Sequence, residues 1–335
     1  MKTAIFGISG SGKTELFLAL AGPEARGLKR AMVKVPEPRL RPLADIFHPQ
    51  RVTPAEIEYL DIQGGGARSL GNKMLNDIRA SDCLLAVIDA FSGTQDPLIQ
   101  ENNIEGDLII ADLAVVEKRL ERLASDKKKD KKLVDPVEEE LLEEARGILE
   151  QEQALREREH LARAQQMRGF QFLSAKPILY VWNVSEEDLQ GRELPGDTKQ
   201  KKHVAICAKL ERELREIEDE GEREELLKEM GLSRPALETI ISITYNLLGY
   251  ITFLTAGEKE VRAWTIRRGS TAREAAGAIH SDIEKGFIRA EVLSWRDFEE
   301  VGGDFKRAKE RGLLRLEGKD YVVRDGDIIT FRFNI

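Results

Sequence analysis

Short apolar runs alternate with longer amphipathic stretches along the chain, and the runs fall where strands of a buried sheet belong. Thr3 to Phe6 is apolar, a glycine-rich segment follows, and Glu15 to Ala21 (ELFLALA) has helical spacing. Further strand-like runs are Ile57 to Ile62, containing Asp61 and followed by Gly64, and Cys83 to Ile88, closed by Asp89. Two more lie at Pro177 to Val184 and Val204 to Cys207. Such runs, separated by helical stretches, predict an α/β domain with a mostly parallel sheet and helices on both faces.

The sequence between the third and fourth runs has a different pattern. Leu113, Val116, Leu120 and Leu123 recur at the three-four spacing of a coiled-coil seam. Leu141, Ala145, Ile148 and Leu155 resume the stripe after Pro136. Two long antiparallel helices are predicted, an arm over residues 111–169 inserted into a sheet domain of residues 1–110 and 170–249. The lysine-rich turn KKKDKK (127–132) is its basic tip. Beyond Gly249, strand-like VRAWTI, IRAEVLSW, RLEGKDYVV and DIITFRF alternate with helical GSTAREAAGAIH and DFKRAKERG. They predict a small mixed domain over 250–335 with a helix laid on a sheet.

Composition sharpens this division. Charged residues are 33% of 335, against about 25% in an ordinary domain. The excess sits in two places. Glu117 to Arg168 holds 27 charged residues in 52, and Leu210 to Met230 holds ten acidic and four basic residues. A net charge of -8 excludes a generic polyanion binder. Nucleic-acid contact would need a local basic surface, and Arg262, Arg267, Arg268 and Arg273 form one candidate cluster, with Trp264 expected in the core. Two cysteines, Cys83 and Cys207, suit a reducing compartment, so a cytoplasmic protein is expected. No apolar run reaches the roughly 18 residues of a membrane span, and the N-terminus is unlike a signal peptide. A monomer is favoured. The four histidines, His48, His160, His203 and His280, are scattered and read as structural or surface residues.

One motif carries specific chemistry. GISGSGKT, Gly7 through Thr14, matches the phosphate-binding loop G-x-x-x-x-G-K-[ST] and stands between a strand and a helix, as that loop requires. Gly7, Ser9, Gly10, Ser11 and Gly12 would present backbone N–H groups to phosphate oxygens, helped by the helix dipole. Lys13 would reach the β- and γ-phosphates as the catalytic cation, and the Thr14 hydroxyl would ligate Mg²⁺. Asp61 and Asp89 compete as the acidic partner of the metal. Asp61 is favoured because Gly64, three residues on, can turn its N–H toward a γ-phosphate. Guanine-specific proteins carry Asn-Lys-x-Asp after the fourth strand; here the segment is Asn183-Val184-Ser185-Glu186. Val184 stands where the lysine would lie along the base, and the longer Glu186 displaces the carboxylate, so strict guanine selection is not expected.

GISGSGKT, LDIQGG, SLGNKMLNDIRASD, KPILYVWNVSEE and AGEKEVRAWTIRRGSTAREAAGAIHSDIEKGFIRAEV together resemble the YchF family of P-loop NTPases, also called Obg-like ATPases. The final segment, ending LRLEGKDYVVRDGDIITFRFNI, resembles that family's β-grasp TGS domain. The resemblance implies three parts: a P-loop NTPase domain, a helical arm and the TGS domain. It implies ATP hydrolysis with Mg²⁺, ATP being preferred to GTP because Asn183 and Glu186 keep the family's Asn-x-x-Glu. It further implies association with the ribosome or RNA, and contributions to the base site from Cys207 and Ala208. The chain departs from the family at Gly10, where asparagine is usual, and in the absence of a threonine between Ala21 and Lys34. Gly64 to Gly66 replaces a glycine followed by a hydrophobic residue. These departures keep a second class open, a nucleotide-binding regulatory module with little hydrolysis. A P-loop kinase is disfavoured because no arginine-rich lid is visible.

Overall fold

The computed structural model describes residues 1–64, 66, 69–130, 133–189, 192–217, 219–230 and 235–334. In chain order, β1 (Lys2–Phe6) leads into α1 (Lys13–Ala21) and β2 (Arg30–Lys34). Next come α2 (Leu40–Phe47), β3 (Arg51–Thr53), β4 (Glu56–Asp61), α3 (Gly71–Ile78) and β5 (Cys83–Asp89). The long α4 (Pro97–Lys129) is followed by α5 (Pro136–Leu149) and α6 (Glu159–Arg163). Strands β6 (Ile178–Asn183) and β7 (Lys201–Ile206) precede α7 (Ala208–Glu216), α8 (Glu220–Glu229) and α9 (Ala236–Leu247). The remainder runs β8 (Tyr250–Ala256), β9 (Glu260–Arg267), α10 (Ala272–Ile279), α11 (Ser281–Lys285) and β10 (Phe287–Leu293). It ends with α12 (Trp295–Glu300), α13 (Phe305–Glu310), β11 (Arg315–Glu317) and β12 (Ile328–Phe333).

The chain forms two compact units, one of Met1–Val33 with Glu58–Leu247, the other of Lys34–Ile57 with Leu248–Ile335. The first contains a sheet in the order β2-β4-β1-β5-β6-β7. Pairs β1–β4, β1–β5, β5–β6 and β6–β7 are parallel. Every residue of β5 and β6 is buried, which is why these strands are almost continuously apolar in sequence. Register brings the chemistry to one edge: Ile5 pairs with Asp61, Asp89 with Asn183, and Asn183 with Ile206. That carboxyl edge of a parallel sheet is where ligands bind in such folds.

The arm exists with a different second half. Val116, Leu120, Leu123, Ala145, Ile148 and Leu155 join one buried cluster, with Leu113 and Leu141 packed at its margin. However, α5 stops at Leu149, and Leu155 lies in a separate short 3₁₀ turn. One long helix is therefore matched by a helix of 14 residues rather than by an equal partner. Lys131 and Lys132 of the basic tip lie outside the described residues. The proximal part of α4 is tied into the sheet region. Asp107 accepts from the Leu70 N–H at 2.7 Å and Asp112 from Arg79 at 3.2 Å, so both ends of α3 are held to α4. Among the described residues, no helix is long and apolar enough to cross a membrane.

Lys34–Ile57 falls in the C-terminal unit, although its sequence position suggested the first domain. β3 adds an edge to a second sheet, β11-β10-β12-β8-β9-β3, by pairing with β9. Leu40 and Leu43 of α2 are buried, and Phe47 meets Phe305 edge to face at 5.2 Å. Long-range pairing captured the segment, which local pattern does not reveal. On the other side of this sheet, Ala272 and Ala275 of α10 pack against Ile251, Phe253 and Ile266. The predicted helix on a sheet is present, in a β-grasp-like unit. Trp264 packs beside this core, its ring parallel to that of Phe253.

Candidate functional site

The loop after β1 is shaped by glycines that nothing larger can replace. A Cβ at Gly7 would lie 2.4 Å from the Val87 carbonyl oxygen, and one at Gly12 would lie 2.2 Å from Asn183 Nδ2. Gly12 also sits at φ 92°, the left-handed region that favours glycine, as the residue capping α1. Among the described residues no side chain caps α1, so its first N–H groups can receive an anion. Ser9 and Gly10 are exposed on the loop, and Ser9 N–H bonds the Gly66 carbonyl at 3.3 Å.

Lys13, Thr14 and Asp61 come together beside this loop. The Lys13 ammonium donates to the Ile8 carbonyl at 2.6 Å, spanning the loop. Thr14 Oγ1 lies 3.4 Å from Asp61 Oδ2. Asp61 is buried, and among the described residues its Oδ1 has no hydrogen-bond partner within bonding geometry. Burial lowers the Lys13 pKa, with Asp61 partly opposing it; burial raises that of Asp61, with Lys13 opposing. A hydroxyl and a buried carboxylate with a free lone pair form a hard oxygen donor set. Mg²⁺ takes few protein ligands of this kind alongside phosphate and water. Among the described residues, no group of three His, Cys, Asp or Glu side chains could hold a metal.

Asp89, the competing carboxylate, is spent on its own turn. It accepts from the N–H groups of Phe91 and Ser92 and from the Ser92 hydroxyl. Gly64 is exposed at φ 110°, and Gln63 beside it is exposed. Gly65 lies outside the described residues.

At the base end, Asn183 bridges two segments. Its Nδ2 donates to the Ser11 carbonyl and its Oδ1 accepts from Ala208 N–H, both at 3.0 Å. The amide thus couples the phosphate loop to the turn after β7. Glu186 is exposed and lies 3.5 Å from Lys209 Nζ. Cys207 and Ala208 are buried, and burial raises the Cys207 thiol pKa. Val184, at the motif position of the lysine, is buried in the sheet core with Tyr180 and Trp182. Strand alternation turns residues 180, 182 and 184 to one face.

Over its full length the chain is 39% identical to the ribosome-binding ATPase YchF of Bacillus subtilis (strain 168), and the match covers all of both chains. The chain belongs to the YchF family. The Haemophilus influenzae protein of the same name is 38% identical, over 100% of this chain and 99% of its own. The solved YchF GTPase of Schizosaccharomyces pombe matches with a TM-score of 0.85 at 29% identity, over 99% of this chain and 97% of its own. A family model for the YchF-GTPase C-terminal region, described as a protein of unknown function, matches residues 250–334. The resemblance found in the sequence is borne out.

Within the YchF frame, the first threonine after Thr14 is Thr53, which lies in the C-terminal unit and donates to Glu260 at 2.6 Å. Three arginines of the candidate basic cluster have partners of their own. Arg262 lies 3.8 Å over the Trp264 ring, Arg267 lies over Tyr250, and Arg273 pairs with Glu284. His203 is buried between Glu101 and Asp197, while His48, His160 and His280 are exposed. Sequence reasoning missed Arg212 and Arg215 of α7, which contact α1. Their three-residue spacing on one helix face was the available signal, lost within an acidic stretch.

Proposed function

We propose that this chain is a cytoplasmic, Mg²⁺-dependent NTPase that binds and hydrolyses ATP, accepts GTP, and acts in association with the ribosome or RNA. The observation that carries the reading is the meeting of Lys13, Thr14 and buried Asp61 at a glycine-shaped helix N-terminus. The names of its relatives support the ribosomal part. In this reading the N–H groups of residues 9–14 cradle the phosphates, and Lys13 leaves the Ile8 carbonyl to neutralise developing charge on the transferred group. Thr14 and Asp61 hold Mg²⁺, which when bound screens the phosphate charge. The Gly64 N–H takes a γ-phosphate oxygen. Asn183 orders the base loop, Glu186 faces the base, and Cys207 and Ala208 line that loop. The sheet region of residues 1–110 and 170–249 carries the nucleotide. The arm over 111–169 and the TGS-like region over 250–335 offer docking surfaces.

A second reading, nucleotide-dependent regulation with little turnover, is favoured because Thr53, the first threonine after Thr14, belongs to the C-terminal unit and is engaged there with Glu260. The two separate in one assay: ATP and GTP binding, then phosphate release with and without ribosomes. Release that falls by about 100-fold or more in Lys13→Ala supports the enzyme. Tight ATP binding without release under either condition supports the regulatory module.

A further inference from the structure

Helix α7 is attached to α1 at three levels. At its start, the Ala208 N–H hangs on Asn183, whose other end holds the Ser11 carbonyl. One turn on, Arg212 Nη1 lies 2.8 Å from Glu15 Oε2, in the first turn of α1. This is a contact of opposite charges rather than an aligned hydrogen bond. At the far end, Arg215 Nη1 donates to the carbonyls of Ala19 at 3.1 Å and Leu20 at 2.8 Å. Carbonyls in the last turn of a helix lack partners within it, and a cation there also meets the negative end of the dipole. Ala208 with Ser11, Arg212 with Glu15, and Arg215 with Ala19 and Leu20 advance in step. The two helices therefore run side by side in the same direction.

One of these helices begins at the phosphate loop and the other at the base loop. We propose that Arg212 and Arg215 are positioning residues that fix the spacing between the two loops, so that base and triphosphate are bound as a single ligand. The proposal rests on the nucleotide reading of the site. A ligand that spans two half-sites gains affinity over either fragment only while the half-sites keep the distance that its own covalent frame sets. Among the described residues the contacts of Arg212 and Arg215 are to α1 and not to the loops, so loosening α7 leaves each half-site intact and removes the coupling.

The test uses the full chain with Mg²⁺ and measures displacement of a fluorescent ATP analogue by ATP, by inorganic tripolyphosphate and by adenosine. In Arg212→Ala/Arg215→Ala, ATP affinity falls about tenfold while tripolyphosphate affinity changes less than about twofold. Arg215→Lys, which keeps a cation at the end of α1, recovers most of the loss from Arg215→Ala. Where turnover is measurable, KM rises and kcat is retained. The proposal is overturned if ATP and tripolyphosphate weaken by the same factor, or if neither weakens. It is equally overturned if the wild type binds ATP no more tightly than tripolyphosphate, or binds ATP while tripolyphosphate displaces nothing. A loss of ATP binding that merely tracks the unfolded fraction in thermal melts also overturns it. A wild type that binds no ATP or tripolyphosphate defeats the nucleotide reading instead.

Discussion

At the phosphate end of the proposed site, eight contiguous residues, Gly7 to Thr14, supply the loop, the ammonium and the hydroxyl, while Asp61 and Gly64 come from the end of β4 and the turn after it. At the base end, β6, the turn after β7 and α7 each contribute one piece. The amide that links them to the loop reaches across 172 positions of sequence. The first end is fixed by backbone geometry, since a Cβ at Gly7 would strike a neighbouring strand. The second is held by single hydrogen bonds and ion pairs, some of them exposed. Substitutions at the loop should therefore act on binding and folding together. Those at the base end should act mainly on how tightly the base is held, with a smaller cost to the fold.

Gly12→Ala tests the point where the two ends touch. The added Cβ must displace the Asn183 amide and occupy a left-handed conformation, so about 2 kcal/mol of stability is expected to be lost, with nucleotide binding. Denaturant unfolding and ATP titration check it, and unchanged ATP affinity would break the link between the ends. Asn183→Ala removes both bonds of the bridge without filling space. A loss of about 1–2 kcal/mol is expected in the same unfolding measurement, with ATP weakened more than tripolyphosphate.

Asp61→Asn should have the opposite sign on stability. Burial raises the Asp61 pKa, so the folded chain binds that proton more readily than the unfolded chain does. The resulting penalty is absent at pH below the ordinary carboxylate range and complete above the raised folded value. Asp61→Asn is expected to be more stable than wild type at neutral pH. That gain should shrink as the pH falls through the folded pKa, while Mg²⁺-dependent ATP binding weakens. Equal stability at all pH values would contradict a buried, destabilised carboxylate. The smallest effect is expected at exposed Glu186. Glu186→Gln should change the ratio of ATP to GTP affinity about threefold and leave tripolyphosphate binding unchanged.

Legibility in the sequence follows the same division. The phosphate loop was readable because all its requirements lie within one run, and β5 and β6 because burial on both faces leaves an unbroken apolar signature. The preference for Asp61 over Asp89 rested on a glycine three residues away, and the structure gives Asp89 a full set of local bonds. What was not readable depends on distant partners. Lys34–Ile57 joins the second sheet through the pairing of β3 with β9, some 200 residues on. The burial of Val184 with Tyr180 and Trp182 was likewise not readable, because a motif alignment gives a position and not the neighbours that cover it. For Arg215 the spacing from Arg212 marks a helix face but not a partner, because its acceptors are two backbone carbonyls.

In the proposed site one nucleotide spans both ends, with its phosphates on Gly7–Thr14. A crystal structure with Mg²⁺ and a non-hydrolysable ATP analogue tests it most directly. The account predicts Lys13 withdrawn from the Ile8 carbonyl onto the phosphates, the metal between Thr14 and Asp61, and the adenine between residues 183–186 and 207–209. An analogue bound at another place, or one whose phosphates sit on the loop with the base away from both segments, would contradict it.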